Sequence, residues 1–237
     1  MNFAKALRAS VVPAYWKGLI RAVVPTIDHQ EAFVGLEFAS VVDVGANVGQ
    51  FSLFASHRWP DAIIHAFEPI PDQAARFAAV HGSRVTLHRC ALGESATSLP
   101  IHIASRKDSS SLLPLGQRQK AMFNMDEVNQ IEVPVERLDA VLKPSDLPQP
   151  SLLKIDVQGF EFEVLRGAGE FLRHFSHVYV EVSFTELYEG QKLYSDVKAL
   201  LLKSGLTLLR KHNIAQDEVG ALVQADLLFE NHERIAS

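Results

Sequence analysis

The stretch Val41-Val42-Asp43-Val44-Gly45-Ala46-Asn47-Val48-Gly49-Gln50-Phe51 restricts this chain more than any other. A short apolar run enters a turn with glycines at 45 and 49, and the helical spacing Phe51, Phe54, Ala55 follows. That is a strand–turn–helix unit. Glycine in the turn permits φ > 0 and close approach of a ligand to backbone. The helix start offers unpaired N–H groups and a positive dipole end. The spacing Gly-x-Asn-x-Gly is not the Gly-x-Gly-x-x-Gly of dinucleotide enzymes, so no pyrophosphate cradle is spelled out. The turn therefore predicts a nucleotide-like cofactor without a pyrophosphate, and S-adenosylmethionine meets that description.

Beyond this unit, strand and helix patterns alternate over short connections. Strands are predicted at 41–44, 63–67, 85–90, 152–155 and 178–182, and 206–209 with 222–229 form an antiparallel terminal pair. The rhythm predicts an α/β fold: a Rossmann-like, mostly parallel sheet with helices on both faces. The middle differs, with strands at 98–103 and 131–138 flanking a long polar segment. Unstructured stretches of that length are uncommon in compact domains, so 104–130 reads as a mobile loop or lid.

The expected organisation is a domain over 39–237 preceded by a basic helical extension over 1–38. Residues 1–27 carry Lys5, Arg8, Lys17 and Arg21 and no acid. Apolar faces are predicted at Phe3 and Leu7, and at Trp16, Leu19, Ile20 and Val23, parted near Pro13. Such a segment either packs on the main domain or makes a peripheral contact with an anionic membrane or a glycolipid.

Charge narrows the partners. A net charge of −5 argues against a general nucleic-acid binder. The single cysteine, Cys90, allows no internal disulfide or zinc cluster. No apolar run reaches membrane-spanning length, and Pro13, Lys17 and Arg21 interrupt the N-terminal apolar stretch, so a cytoplasmic location is expected. The sequence leaves the oligomeric state open.

In open α/β sheets ligands bind beyond the carboxyl ends of the strands, at the switch in strand order. Glu68 ends the second strand, nineteen residues after Gly49, where a carboxylate can accept from both ribose hydroxyls. Asp43 and Lys154 are charges inside strands predicted to be covered, so they either pair with each other or with Asp156 or act as direct ligands, Asp43 being a cofactor-binding candidate. Asp156, ending the fourth strand, is a candidate base or a partner for a cofactor amino group. Glu181 is a weaker catalytic candidate. A cation held by Asp156 and Glu181 would lack a clear third ligand, so no metal is predicted. Ser110, Ser111 and Tyr188 are weaker substrate candidates, whereas His102, His177 and His212 read as solvated or core residues.

The blocks Val42-Asp43-Val44-Gly45-Ala46-Asn47-Val48-Gly49, Phe67-Glu68-Pro69, Ala91-Leu92-Gly93 and Leu153-Lys154-Ile155-Asp156-Val157-Gln158-Gly159-Phe160-Glu161 continue through Val164-Leu165-Arg166-Gly167-Ala168, Glu181-Val182-Ser183-Phe184 and Gln224-Ala225-Asp226-Leu227-Leu228-Phe229. In that order they resemble the FkbM family of S-adenosylmethionine-dependent methyltransferases, over roughly residues 40–230. The resemblance implies a class I methyltransferase sheet and methyl transfer to oxygen, on a small-molecule or glycan acceptor such as a sugar or a secondary metabolite. By position it implies Gly45, Asn47 and Gly49 beside the methionine part, Glu68 at the ribose, and Ala91 and Leu92 near the adenine. Two other readings stand beside it. One is a methyltransferase fold kept as a binding module. The other is a nicotinamide oxidoreductase, which Asn47 and the missing third glycine disfavour.

Overall fold

Alternation within the central strands decides the architecture, because successive side chains of a strand point to opposite faces. In β1 (Ser40–Val44), Val42 and Val44 pack into one core, together with Leu153 and Ile155 of β7 (Ser151–Ile155) and Val178, Val180 and Val182 of β8 (His177–Ser183). Val41, Leu152 and Tyr179 point the other way, into a core with Phe51, Phe54 and Trp59. Both faces are therefore apolar and both must be covered. The computed structural model describes residues 3–232. Residues 1, 2 and 233–237, which fall within the expected extension and domain, lie outside the described residues, as do the side chains of Phe3, Ala4 and Lys107.

The main sheet has seven strands among the described residues, in the order β3-β2-β1-β7-β8-β10-β9. Here β2 is Ile63–Phe67, β3 is Thr86–His88, β9 is Leu206–Gln216 and β10 is Leu222–Asn231. All pairings from β3 to β8 are parallel, while β10 runs antiparallel to both β8 and β9. The fold is thus a class I methyltransferase sheet with its switch point between β1 and β7. The helices α6 (Leu138–Val141), α7 (Glu161–Ala168) and α8 (Tyr194–Lys203) cover one face; α3 (Gln50–Arg58) and α4 (Pro71–His81) cover the other.

The middle of the chain departs from its sequence reading. The third strand is shorter than predicted, and Ala91–Leu92 (β4) turns away to pair with Val135 and Glu136 of β6 (Glu127–Glu136). A second, three-stranded sheet results, in the order β4-β6-β5, with β5 at Thr97–Ala104. Leu138 starts a helix instead of ending a strand. Nor is 104–130 structureless. Ser111 bridges back to His102, α5 (Gln117–Phe123) follows, and β6 begins at Glu127. Its anchor is apolar: Ala104 and Leu115 are buried with Leu187, Tyr188 and Val223.

The N-terminal segment packs on the α3–α4 face. It comprises α1 (Phe3–Ser10), α2 (Trp16–Ile20) and a 3-10 stretch at Ile27–Phe33. Ala9, Tyr15 and Val23 are buried with Val48, Leu53 and Val80, and Phe33 sits among Phe51, Phe54 and Trp59. Leu7, Val11, Trp16 and Ile20 remain exposed. No helix among the described residues is long and apolar enough to cross a membrane.

Candidate active site

The turn after β1 is held by the end of β2. The amides of Gly45 and Ala46 donate to the Phe67 carbonyl at 3.2 and 3.0 Å, and that of Asn47 donates to Glu68 Oε2 at 2.8 Å. Glu68 Oε1 accepts from the Ile70 amide at 2.7 Å. Gly45 (φ +75°) lies so close to the next strand end that a Cβ would stand 1.8 Å from the Asp156 carbonyl oxygen. Only glycine allows β1 and β7 to end side by side there. Asn47 takes a left-handed φ of 50°, a conformation that asparagine tolerates better than most residues. Gly49 (φ +95°) faces α4, where an added Cβ would strike His81, so its part is to form the turn.

Asp43 and Lys154 form the ion pair expected of them, Nζ to Oδ1 at 3.0 Å, and Asp156 Oδ2 stands 3.9 Å from the same ammonium. Asp43 is fully buried and its Oδ2 accepts from Ser52 Oγ at 2.7 Å. The Lys154 ammonium also donates to the carbonyls of Val44 (3.5 Å) and Gly45 (3.3 Å), which ties it under the glycine turn. Burial alone would depress Lys154, but Asp43 and Asp156 overcome this and hold its pKa above the ordinary lysine value.

Two spaces open at the switch point and meet at Gly45, Asn47, Asp108, Asp156 and Gln158. One is a slot of about 70 Å³ walled by Phe67, Ile70, Cys90, Ala91, Leu92 and Phe160, with Glu68 on its floor. Glu68 is 4% exposed, and burial pushes its carboxyl up to about 7 despite the two backbone donors. Burial likewise pushes the Cys90 thiol up to about 11, the behaviour of a core residue. The other space is a polar cavity of about 630 Å³ bordered by Lys5, His29, Arg106, Gln119, Lys154 and Gln224.

The slot has the character a nucleoside needs: apolar walls and one carboxylate with lone pairs to spare beyond its two backbone donors. Asp108, Ser110, Ser111 and Leu112 cover it from the segment after β5. Ser110 Oγ accepts from the Ala104 amide at 3.2 Å, and Ser111 Oγ donates to the Gln158 carbonyl at 2.6 Å.

The substrate role expected of Tyr188 and the catalytic role expected of Glu181 do not match their positions. Tyr188 is fully buried, packed on Gly159, so no ring face is open to stack on a sugar; its hydroxyl stands 2.9 Å from Gln158 Oε1 and 3.0 Å from the Ser109 carbonyl oxygen, with one proton to share between them. Glu181 borders neither space. Its Oε2 accepts from the side-chain amides of Gln158 (3.2 Å) and Gln224 (3.0 Å), and burial, with Asp156, Asp226 and Glu161 nearby, raises its pKa well above the carboxylate range. Among the described residues, no group of three or more His, Cys, Asp or Glu is arranged to hold a metal.

Four residues of the site went unassigned in the sequence reading. Gln158, with φ at 57°, bonds Asp156 Oδ1 at 2.7 Å and borders both spaces. Its signal was the Gln-Gly pair two residues after Asp156. Gln224 opens the last block of the resemblance, whereas Asp108 and His29 had no comparable local signal.

The profile of the methyltransferase FkbM domain matches residues 43–209. The methyltransferase sdnD of Sordaria araneosa is 33% identical over 196 residues, 72% of this chain and 74% of that one. The 31-O-demethyl-FK506 methyltransferase FkbM of Streptomyces tacrolimicus is 30% identical over 197 residues, 73% and 74% of the two chains. The 2-O-methyltransferase NoeI of Sinorhizobium fredii is 29% identical over 201 residues, 81% and 79%. The sheet order, the glycine turn and these matches agree, and the chain belongs to the FkbM family of methyltransferases.

Proposed function

We propose that this methyltransferase uses S-adenosylmethionine to methylate a hydroxyl oxygen of a sugar, glycan or secondary-metabolite acceptor. The observation that carries this reading is the meeting of the Glu68 slot with the polar cavity at Gly45, Asn47, Asp156 and Gln158. Relatives named for 31-O and 2-O positions support oxygen as the acceptor atom. Glu68 would receive the ribose hydroxyls, Ala91 and Leu92 the adenine, and the Gly45–Asn47 backbone with Asp156 the amino-acid end. When bound, S-adenosylmethionine supplies an electrophilic methyl on a sulfonium. The chain's own contribution is alignment, which can lower a barrier by about 7–11 kcal/mol. Its acids sit at the ribose and amino ends. A carboxylate beside the sulfonium would favour the ground state over a transition state in which that charge is vanishing.

The test is equilibrium dialysis with tritiated S-adenosylmethionine, followed by turnover against a panel of methyl glycosides of hexoses, deoxyhexoses and hexuronic acids. Labelled methyl ether is expected. Failure of the pure protein to bind the cofactor would overturn the reading, and binding of NAD in its place would restore the oxidoreductase alternative. Binding without turnover on any acceptor would favour a non-catalytic module.

A peripheral membrane contact is part of the same proposal. The exposed pair Trp16 with Ile20 lies one helical turn apart in α2, and Leu7 and Val11 are exposed near the end of α1, with Arg8, Lys17 and Arg21 close by in the chain. Apolar side chains ringed by cations suit an anionic lipid surface.

A further inference from the structure

His29 belongs to none of the family blocks, yet the fold carries it into the polar cavity beside Gly45, Asn47 and Asp156. Three contacts fix its segment, Ile27–Phe33. The Thr26 amide donates to the Gln50 carbonyl at 3.3 Å, and Arg210 Nη1 donates to the carbonyls of Ala32 and Val34, both at 2.9 Å. The ring stands edge-on to Phe51 and Tyr179, with centroids 5.9 and 5.6 Å apart. A histidine would not need such a mounting merely to cover the sheet.

One edge of the ring is spoken for. Nδ1 lies 2.8 Å from Tyr179 Oη, 3.3 Å from Asp226 Oδ2 and 3.3 Å from Asn213 Nδ2. Tyr179 donates its single proton to Asp226 Oδ2 at 3.0 Å, and Asn213 Nδ2 donates to the same oxygen at 2.7 Å. With the phenol proton and the shorter Asn213 bond both directed to Asp226 Oδ2, the phenol oxygen and the carboxylate stand as acceptors at Nδ1, an arrangement that favours the hydrogen on Nδ1 and leaves Nε2 its lone pair. Burial works against charge on Asp226, but bonds from His29, Asn213 and Tyr179 hold its carboxyl below the usual range. A buried carboxylate behind a histidine fixes its tautomer and stabilises the imidazolium that forms when it takes a proton. Other charged or titratable groups near the pair are Lys5 and Asp28, which pair with each other, Lys154 and Asp156 from β7, Glu181 from β8, and His212 opposite Asp226 on β9.

Asp156 is the competing base. Its Oδ1 already accepts from Gln158, its Oδ2 faces the Lys154 ammonium, and a carboxylate is intrinsically a weaker base than an imidazole. We propose that His29 is the general base of the transfer, taking the acceptor's hydroxyl proton on Nε2 while Asp226 and Tyr179 hold Nδ1. The acceptor oxygen gains the methyl, the electron pair of the broken carbon–sulfur bond stays on sulfur, and the proton passes through His29 to solvent. This assignment rests on the methyltransferase reading and is tested separately from it.

The first measurement needs no acceptor. Long-range ¹H–¹⁵N spectra of histidine-labelled protein at pH 8 should show His29 as the Nδ1–H tautomer, and Asp226→Asn should disturb that tautomer. An Nε2–H tautomer in the unmodified protein would overturn the proposal. The second uses the panel glycoside that turns over fastest. His29→Ala should lower kcat by about 100- to 10,000-fold. Its S-adenosylmethionine Kd should stay within threefold of the parent, and added imidazole should restore part of the lost rate. His29→Gln, closer in size, should lose as much rate without rescue. A kcat within threefold of the parent in either variant would overturn the proposal. Failure of the unmodified protein to bind the cofactor would instead overturn the methyltransferase reading.

Discussion

Replacing Lys154 with methionine tests whether the charge pair beneath the glycine turn is what keeps the strand ends together. Methionine retains most of the aliphatic stem and removes the ammonium, leaving Asp43 fully buried with Ser52 as its remaining donor and the carbonyls of Val44 and Gly45 without the lysine's hydrogen bonds. Removing one partner of a buried ion pair costs about 3–5 kcal/mol, because an uncompensated charge stays behind. For a domain of this size that corresponds to a fall in Tm of roughly 6–20 °C. The double variant D43N/K154M removes the stranded charge while keeping an acceptor for Ser52. It should regain at least half of the loss, for a coupling energy of at least about 2 kcal/mol once the D43N loss is added in the double-mutant cycle. Urea unfolding of the parent, both single variants and the double at one pH supplies all four corners. A loss under 1 kcal/mol in K154M, or a double variant as unstable as the two singles summed, would show that the pair is not a buried unit.

Glu68 gives a pH-dependent expectation with a definite sign. Its carboxyl is pushed from the ordinary 4.5 up to about 7, so the folded chain binds this proton more tightly than the unfolded one. Its stabilising contribution is full below the unfolded value and is lost as pH rises through about 7, amounting to roughly 3 kcal/mol across that window. Urea midpoints from pH 4 to pH 8 should fall less steeply in E68Q than in the parent, and parallel curves would refute the assignment. On the N-terminal face, replacing Lys17 and Arg21 with glutamine should weaken binding to phosphatidylserine vesicles by about thirtyfold, at about 1 kcal/mol per cation. Co-sedimentation equal on neutral and anionic vesicles would remove the membrane contact.

The sheet was legible because its signals are local. The apolar runs at 41–44 and 152–155 and the glycine stops each report on their own strand, and the parallel pairing follows from the strand–helix alternation over short connections. The second sheet was not legible. Ala91 and Leu92 form a two-residue strand whose partner, Val135 with Glu136, is more than forty residues away, so nothing near Cys90 announces it. Tyr188 misled for a similar reason. An aromatic after a strand end reads equally as a stacking platform or as core, and only the absence of a side chain at Gly159 lets it pack inward.

The same distinction divides the site. The proposed cofactor half is built from Gly45 to Asn47 and Glu68, at the ends of β1 and β2, and from Cys90 to Leu92 just beyond β3. Spacing finds the glycine turn and Glu68, and the resemblance adds Ala91 and Leu92. The acceptor half is assembled from His29 before the first strand, Asp108 and Gln119 from the middle segment, and Gln224 from the last strand. The Asp226 carboxylate that holds His29 lies 197 residues further along the chain, and no periodicity links the two. A segment outside the matched span 43–209 therefore supplies a wall of the acceptor cavity and, by the assignment argued above, the base. Family membership then predicts the cofactor half better than the acceptor half. Exchanging residues 1–38 with those of a relative should change acceptor preference while leaving the cofactor Kd unaltered. A swap that shifts cofactor affinity and leaves the acceptor ranking intact would place specificity elsewhere.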